Sequence, residues 1–375
     1  MKVIVVGAGI VGLATAWALL RSGHVPVVLD QGPIPNPLGA SHDQHRLIRH
    51  AYGDEIGYTR MVGEAFDAWA RLFEDLGEVH YVRTGAIAVS STEDDETDRT
   101  RRTWQTLGIP HAVLDRQALD RAMPQFAFEG ARYGLLDAAG GPLLAARILE
   151  GLVGWLKTRG VIMRANARVA ALQTPAPAVV LENGEVVAGD RLVLASGAWT
   201  SKLVPALAGR TAPSRQVVVY VEPPAAFRRA WAEGPVLAQF RDGLDLYNLP
   251  PVRGLDLKFS CRPHRRPGDP DDPREPAPDE GEAVLAHVRP HLRDGGAYRV
   301  LGAKVCYYGL SDTGRFIVEP LEGAGLAITN CCGHMFKFGA MLGERIAATV
   351  VGGHRIEALQ RLAAGQAVGA RGDAA

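Results

Sequence analysis

The residues Lys2-Val-Ile-Val-Val-Gly-Ala-Gly-Ile-Val-Gly12, closed by Val27-Val-Leu-Asp30, constrain the fold of this chain more than any other stretch. Val3 to Val6 is a short apolar run rich in β-branched residues and predicts a strand, Ile10 to Arg21 carries a helical apolar period, and Val27 to Leu29 predicts a second strand. Each glycine of the turn has a mechanical reason. Gly7 permits the tight turn, Gly9 lets backbone approach a pyrophosphate, and Gly12 lets the helix pack on the strand. Free N–H groups and the positive dipole end at the helix start suit phosphates. Asp30 falls about 20 positions on, where a ribose hydroxyl needs an acceptor. The expectation is a βαβ dinucleotide site. A secretory signal also begins with a basic residue and an apolar run, but here spaced glycines interrupt that run and a second strand with a terminal acid follows. A glycine turn without a ligand would not require strand, helix, strand and acid in this order.

Composition narrows the partners. Lys plus Arg equals Asp plus Glu at 41 each, so no net field draws in nucleic acid or an anionic membrane. No apolar run reaches the roughly 18 residues of a spanning helix, and a cytoplasmic protein is expected. Cys261, Cys306, Cys331 and Cys332 show no metal-ligand spacing, so reduced thiols and no metal site are expected.

With 375 residues the chain has room for two lobes, and its patterns interleave them. Alternating strand and helix patterns fill 1–80, 142–205 and 311–366, including helices from about Tyr58 to Leu76, Leu143 to Arg159 and Met341 to Val351. These blocks predict an α/β dinucleotide-binding domain of Rossmann type. Residues 81–141 and 206–310 are richer in period-two strands such as Gln216 to Glu222 and Leu255 to Ser260. They predict a mainly antiparallel β-sheet substrate domain, α+β overall. His264 to Glu282, dense in Pro, Asp and Arg, predicts an exposed loop free to move. Residues 367–375 predict a flexible tail.

Further strings carry a resemblance: Ser41-His42, Arg46-Leu-Ile-Arg-His-Ala-Tyr-Gly53, Ala195-Ser-Gly-Ala-Trp199, Leu257-Lys258, Lys304-Val-Cys-Tyr-Tyr308 and Gly333-His-Met-Phe-Lys337. Over nearly its full length the chain resembles the D-amino-acid oxidase (glycine oxidase) flavoprotein superfamily, and within it the monomeric sarcosine oxidase and N-methyltryptophan oxidase branch. The resemblance shifts the expected dinucleotide from NAD to FAD. It implies a cofactor site from Gly7, Gly9, Gly12, Asp30, Ser41, His42, Arg46, Val169, Gly197, Trp199, Cys306, Gly333, His334 and Lys337.

Arg46 and Arg49 are three apart, so a helical turn would put both guanidiniums on one face. The resemblance places Arg46 by the flavin and Arg49 on a substrate carboxylate, which a planar fork can grip bidentately. Lys337 precedes a helix expected near Gly339, whose N-terminus would support the negative charge of a reduced flavin. The resemblance also gives Lys337 to the carboxylate. Alternation over Leu255 to Ser260 puts Lys258 on a solvent face, whereas the resemblance puts it at the flavin, where its charge would assist oxygen reduction. Cys306 matches a cysteine that holds the flavin through a thioether, and Tyr247 a pocket tyrosine. Two departures stand out. Asp43-Gln44-His45 is one residue shorter than the related loops, and Arg262 replaces a pocket histidine, an added cation that would favour a second anionic group on the substrate.

The resemblance therefore implies an FAD-dependent amine oxidase of amino-acid-like N-methyl, secondary or cyclic amines. Hydride would pass to flavin N5, the imine would hydrolyse, and oxygen would leave as hydrogen peroxide. The partners implied are a small amine carrying a carboxylate and O2, with neither nucleic acid nor membrane, for a monomer. A primary amino acid oxidase, a dehydrogenase with another acceptor and a flavin-binding protein without turnover remain open readings of the same residues.

Overall fold

Lys2–Val6 lies inside a six-stranded sheet whose order is Ile317–Leu321, Gly325–Thr329, Arg191–Leu194, Lys2–Val6, Val25–Leu29 and Ile162–Arg164. All neighbours run parallel except the edge strand Ile317–Leu321. Both faces of such a sheet must be covered, which is why Val3, Ile4 and Val5 are fully buried despite pointing alternately up and down. In this computed structural model, residues 1–240, 243–323 and 325–366 are described. The expected tail, 367–375, lies outside them.

Helices Ile10–Arg21, Ile56–Leu76, Ala145–Thr158 and Gly339–Val350 supply one covering layer. Leu13 and Trp17 of the first helix are fully buried, and each contributes roughly 1.5–3 kcal/mol of apolar burial. A β-meander of Val169–Gln173, Ala178–Leu181 and Val186–Ala188 covers the other face with Val169, Val179 and Val187. The Asn183-Gly184 turn joins its last two strands, with Gly184 at φ 84°.

The second region holds two sheets around one core that includes Phe126, Phe128, Trp231 and Phe259. One has the order Val236–Phe240, Ala86–Ser90, Tyr133–Asp137 and Ala112–Leu114. The other is centred on the long strand Ala212–Glu222, which pairs Arg299–Leu310 along one edge and Leu257–Ser260 on the other. Pairing is antiparallel throughout, except between Val236–Phe240 and Ala86–Ser90. No helix among the described residues is long and apolar enough to cross a membrane.

The segment 264–282 is largely exposed as expected, makes side-chain contacts to neighbouring elements, and at its end opens the helix Glu280–Val288. Asp271 accepts from Trp199 Nε1 at 2.7 Å and from Lys202 Nζ at 2.6 Å, and Arg274 lies 4.2 Å from the Tyr307 ring centroid. Its acids and arginine, which read as solvated charge in the sequence, are the groups that make these contacts.

Candidate functional site

A cavity of about 530 Å³ runs from the glycine turn to the approach of the last sheet-covering helix. At its first end Gly7 has φ +103°, and a Cβ there would stand 2.4 Å from Ala195 O; a Cβ on Gly12 would stand 1.8 Å from Gly7 O. The first glycine is required by conformation and the second by close packing. Ser41 Oγ accepts the Ile10 N–H at 3.0 Å. Asp30 is 8% exposed and accepts from Ala8 N, Gly32 N and Asn36 Nδ2. A carboxylate has about four acceptor positions, so one on Oδ2 is left for a ribose hydroxyl.

At the far end Arg46 does not share a helical face with Arg49. Arg46–Ile48 is a strand, paired antiparallel with Gly141–Leu143, and two residues three apart along extended backbone point to opposite sides. Sequence spacing suited either geometry, and pairing with a distant segment decided it. Arg46 donates to Asp43 and to Ala40 O. The Arg49 guanidinium sits 5.3 Å from the Tyr52 ring centroid, and its Nη1 is buried without a hydrogen-bond partner.

Lys258 corrects the solvent-face reading of its alternation. Leu257–Ser260 is an interior strand paired on both edges, and all four of its residues are buried, so both its faces are covered and Lys258 is 1% exposed. Its Nζ donates to Asp43 Oδ2 at 2.9 Å and to His45 O at 2.6 Å. Burial raises the Asp43 carboxyl, but Arg46 and Lys258 overcome this and hold it well below the carboxylate range. Burial lowers Lys258 to about 8 against the pull of Asp43.

Lys337 is 5% exposed, in the 3₁₀ turn Met335–Phe338 that leads into Gly339–Val350. Its Nζ donates to Tyr52 Oη at 2.8 Å, and Tyr52 Oη lies 3.0 Å from His334 Nδ1, whose Nε2 meets Gly314 O. Since Tyr52 accepts from the lysine, its own proton goes to His334 Nδ1, and the His334 Nε2–H goes to the carbonyl. Burial takes His334 down to about 3, so it is neutral and suited to that arrangement. Burial and the neighbouring Arg49 push Lys337 well below its usual range.

Cys306, Tyr247, Val169, Gly197, Trp199 and Gly333 also line the cavity. His42 does not: Lys304 Nζ contacts its Nδ1 at 3.2 Å and also donates to its carbonyl. Arg262 is at the wall but is not the free cation expected, because its Nε donates to Asp245 Oδ2 at 2.6 Å. Asp245 supplies the anion that the sequence reading assigned to the substrate. Asp43, Tyr52 and Glu96 were not assigned roles from sequence. Asp43 lies in the loop whose length departs from related ones, and Tyr52 lies within the Arg46–Gly53 string, which gives it no role of its own.

A phosphate-suited turn at one end of the cavity and arginine and buried lysine side chains at the other are the layout of a dinucleotide-dependent enzyme. The chain belongs to the family described as FAD dependent oxidoreductase, whose model matches residues 2–349. Its relatives include the peroxisomal sarcosine oxidase of Mus musculus, 27% identical over 91% of this chain and 90% of that one. The N-methyl-L-tryptophan oxidase of Salmonella arizonae is also 27% identical, over 91% and 92%. Among solved structures, a modified fructosyl peptide oxidase from Aspergillus nidulans superposes with a TM-score of 0.78 at 23% identity, covering 94% of this chain and 90% of its own.

Proposed function

We propose that this chain oxidises the C–N bond of an amino-acid-like secondary amine, N-methyl or cyclic, using FAD and molecular oxygen. One observation carries the reading. Arg49 and Lys337 flank Tyr52 inside the cavity, with a guanidinium nitrogen lacking any partner and no carboxylate paired to either cation among the described residues. Leaving the Arg49 charge uncompensated costs several kcal/mol, and a bidentate substrate carboxylate would offset that cost and favour the charged form of Lys337. The relatives named as oxidases of sarcosine and of N-methyl-L-tryptophan support an amine bearing that carboxylate.

The residues present fit the cofactor. Gly7, Gly9, Ser41 and Asp30 would hold its AMP half, while Arg46, Cys306 and the Gly333–Lys337 turn would hold the other end. Bound FAD supplies two-electron acceptor chemistry, with oxygen taking the electrons to give hydrogen peroxide and the imine product hydrolysing in water. Arg49 and Lys337 orient the substrate, and positioning of this kind removes translational and rotational cost from the barrier. Lys258 keeps a positive charge where oxygen is reduced. Cys306 is the residue that would hold the cofactor covalently, through a thioether. We assign 1–80, 142–205 and 311–366 to the cofactor domain, and 81–141 and 206–310 to the substrate domain.

Anaerobic mixing with N-methyl, cyclic and primary amino acids tests the reading. Secondary amines are expected to bleach the flavin. Bleaching by primary amines alone, or by none, would overturn it.

A further inference from the structure

We infer that Glu96, braced by Gln239, is a second anchoring point in this cavity, for a cationic or hydrogen-bond-donating group on the substrate remote from its carboxylate. The inference rests on the amine-oxidase reading above and adds the chemistry of the side chain.

Glu96 opens the helix Glu96–Leu107, whose N-cap Asp95 accepts the Asp98 N–H. The residue is held beside the turn that carries the carboxylate anchor: a Cβ on Gly53 would lie 3.2 Å from Glu96 Cγ. From the strand Val236–Phe240, Gln239 Nε2 donates to Glu96 Oε2 at 2.8 Å. Both residues line the cavity, and Gln239 is 7% exposed.

The donor and acceptor inventory gives the direction of recognition. An ionised carboxylate can only accept, so the amide of Gln239 must turn its NH₂ toward Glu96 and keep its oxygen free. Glu96 Oε1 and Gln239 Oε1 have no hydrogen-bond partner among the described residues. The subsite therefore offers acceptors and no spare donor beyond one amide hydrogen. Of the acids lining the cavity, Asp30 is engaged by three donors and Asp245 by Arg262. Glu96 has no cationic partner among the described residues, so its charge remains for a ligand.

The reacting amine itself is a poor occupant. Oxidation needs its lone pair, and a carboxylate clamped on it would favour the protonated, unreactive form. A remote ammonium, guanidinium or hydroxyl group meets the same acceptors without that penalty.

The test compares Nα-methyl-ornithine, Nα-methyl-norleucine and Nα-methyl-glutamate on the holoenzyme and on Glu96→Gln. The basic substrate should exceed the neutral one in kcat/KM by about tenfold or more, with the acidic one last. Glu96→Gln should remove that advantage while leaving the neutral substrate within about twofold. A uniform loss across all three, or a wild-type enzyme indifferent to side-chain charge, would overturn the subsite. The wild-type ranking and Glu96→Ala keep the inference open to refutation if Glu96→Gln does not fold. Failure of every member to bleach the flavin would instead overturn the amine-oxidase reading.

Discussion

Lys258 Nζ lies 2.9 Å from Asp43 Oδ2, with both side chains shut away from solvent. Asp43 also takes Arg46 and the Tyr220 hydroxyl, so one carboxylate serves two cations in a closed space.

Removing that carboxylate leaves two buried cations facing each other. Asp43→Asn should lower stability by about 3–5 kcal/mol, the range for breaking a buried pair, as read by thermal unfolding of the holoenzyme. Lys258→Met should cost less, since Arg46 still neutralises Asp43, and the double variant should be no less stable than Asp43→Asn alone. A double variant that simply adds both losses would show that the three groups do not act as a unit.

The Lys258 charge also has a pH signature. Burial brings its ammonium down to about 8, so the positive form dominates below that pH and the neutral amine above it. Reoxidation of the reduced enzyme by oxygen should slow as pH rises through about 8, and Lys258→Met should be slow at every pH. Stopped-flow measurement of the two half-reactions decides: comparable losses in reduction and reoxidation would remove the oxygen role from Lys258.

Arg49 differs from a generic positive charge in its fork of donors. Arg49→Lys should weaken binding of a carboxylate ligand by about 10- to 100-fold, since charge-assisted bonds are worth about 1.5–3 kcal/mol, and Arg49→Met should weaken it further. Titration by the flavin absorbance change checks the order. Binding by Arg49→Lys as tight as wild type would mean that fork geometry at this position does not matter.

Cys306 lies on Arg299–Leu310 facing Gln216 in register, and burial raises its thiol. If it carries the cofactor, acid-precipitated wild-type protein should stay yellow and Cys306→Ser should turn white. Yellow precipitate from both would move the attachment elsewhere, and white from both would exclude a covalent bond.

Local patterns and distant pairings divide what could be read in advance. The βαβ start was legible because strand, turn, helix and acid lie within thirty residues, and the helix Ile10–Arg21 appears over the expected span. Lys258 was misread by alternation because a two-residue period cannot report that a strand is flanked and covered on both faces. Arg262 was misread because its partner, Asp245, lies in a loop with φ 47° and no pattern of its own. The Arg49-Tyr52-Lys337 cluster joins residues more than 280 positions apart in the chain, and only the resemblance linked Arg49 with Lys337.

The two-stranded ribbon of Arg46–Ile48 and Gly141–Leu143 serves as a ruler. Its alternation sends one guanidinium toward Asp43 and the other toward Tyr52, and Gly141 fixes its position, because a Cβ there would stand 2.1 Å from Val82 O. A slip of one residue would exchange the two sides, bringing Leu47 and His50, or His45 and Ile48, to the two stations where an arginine is needed. Insertions and deletions in this short segment should therefore be far less tolerated than substitutions of its apolar members, although it is only three residues long.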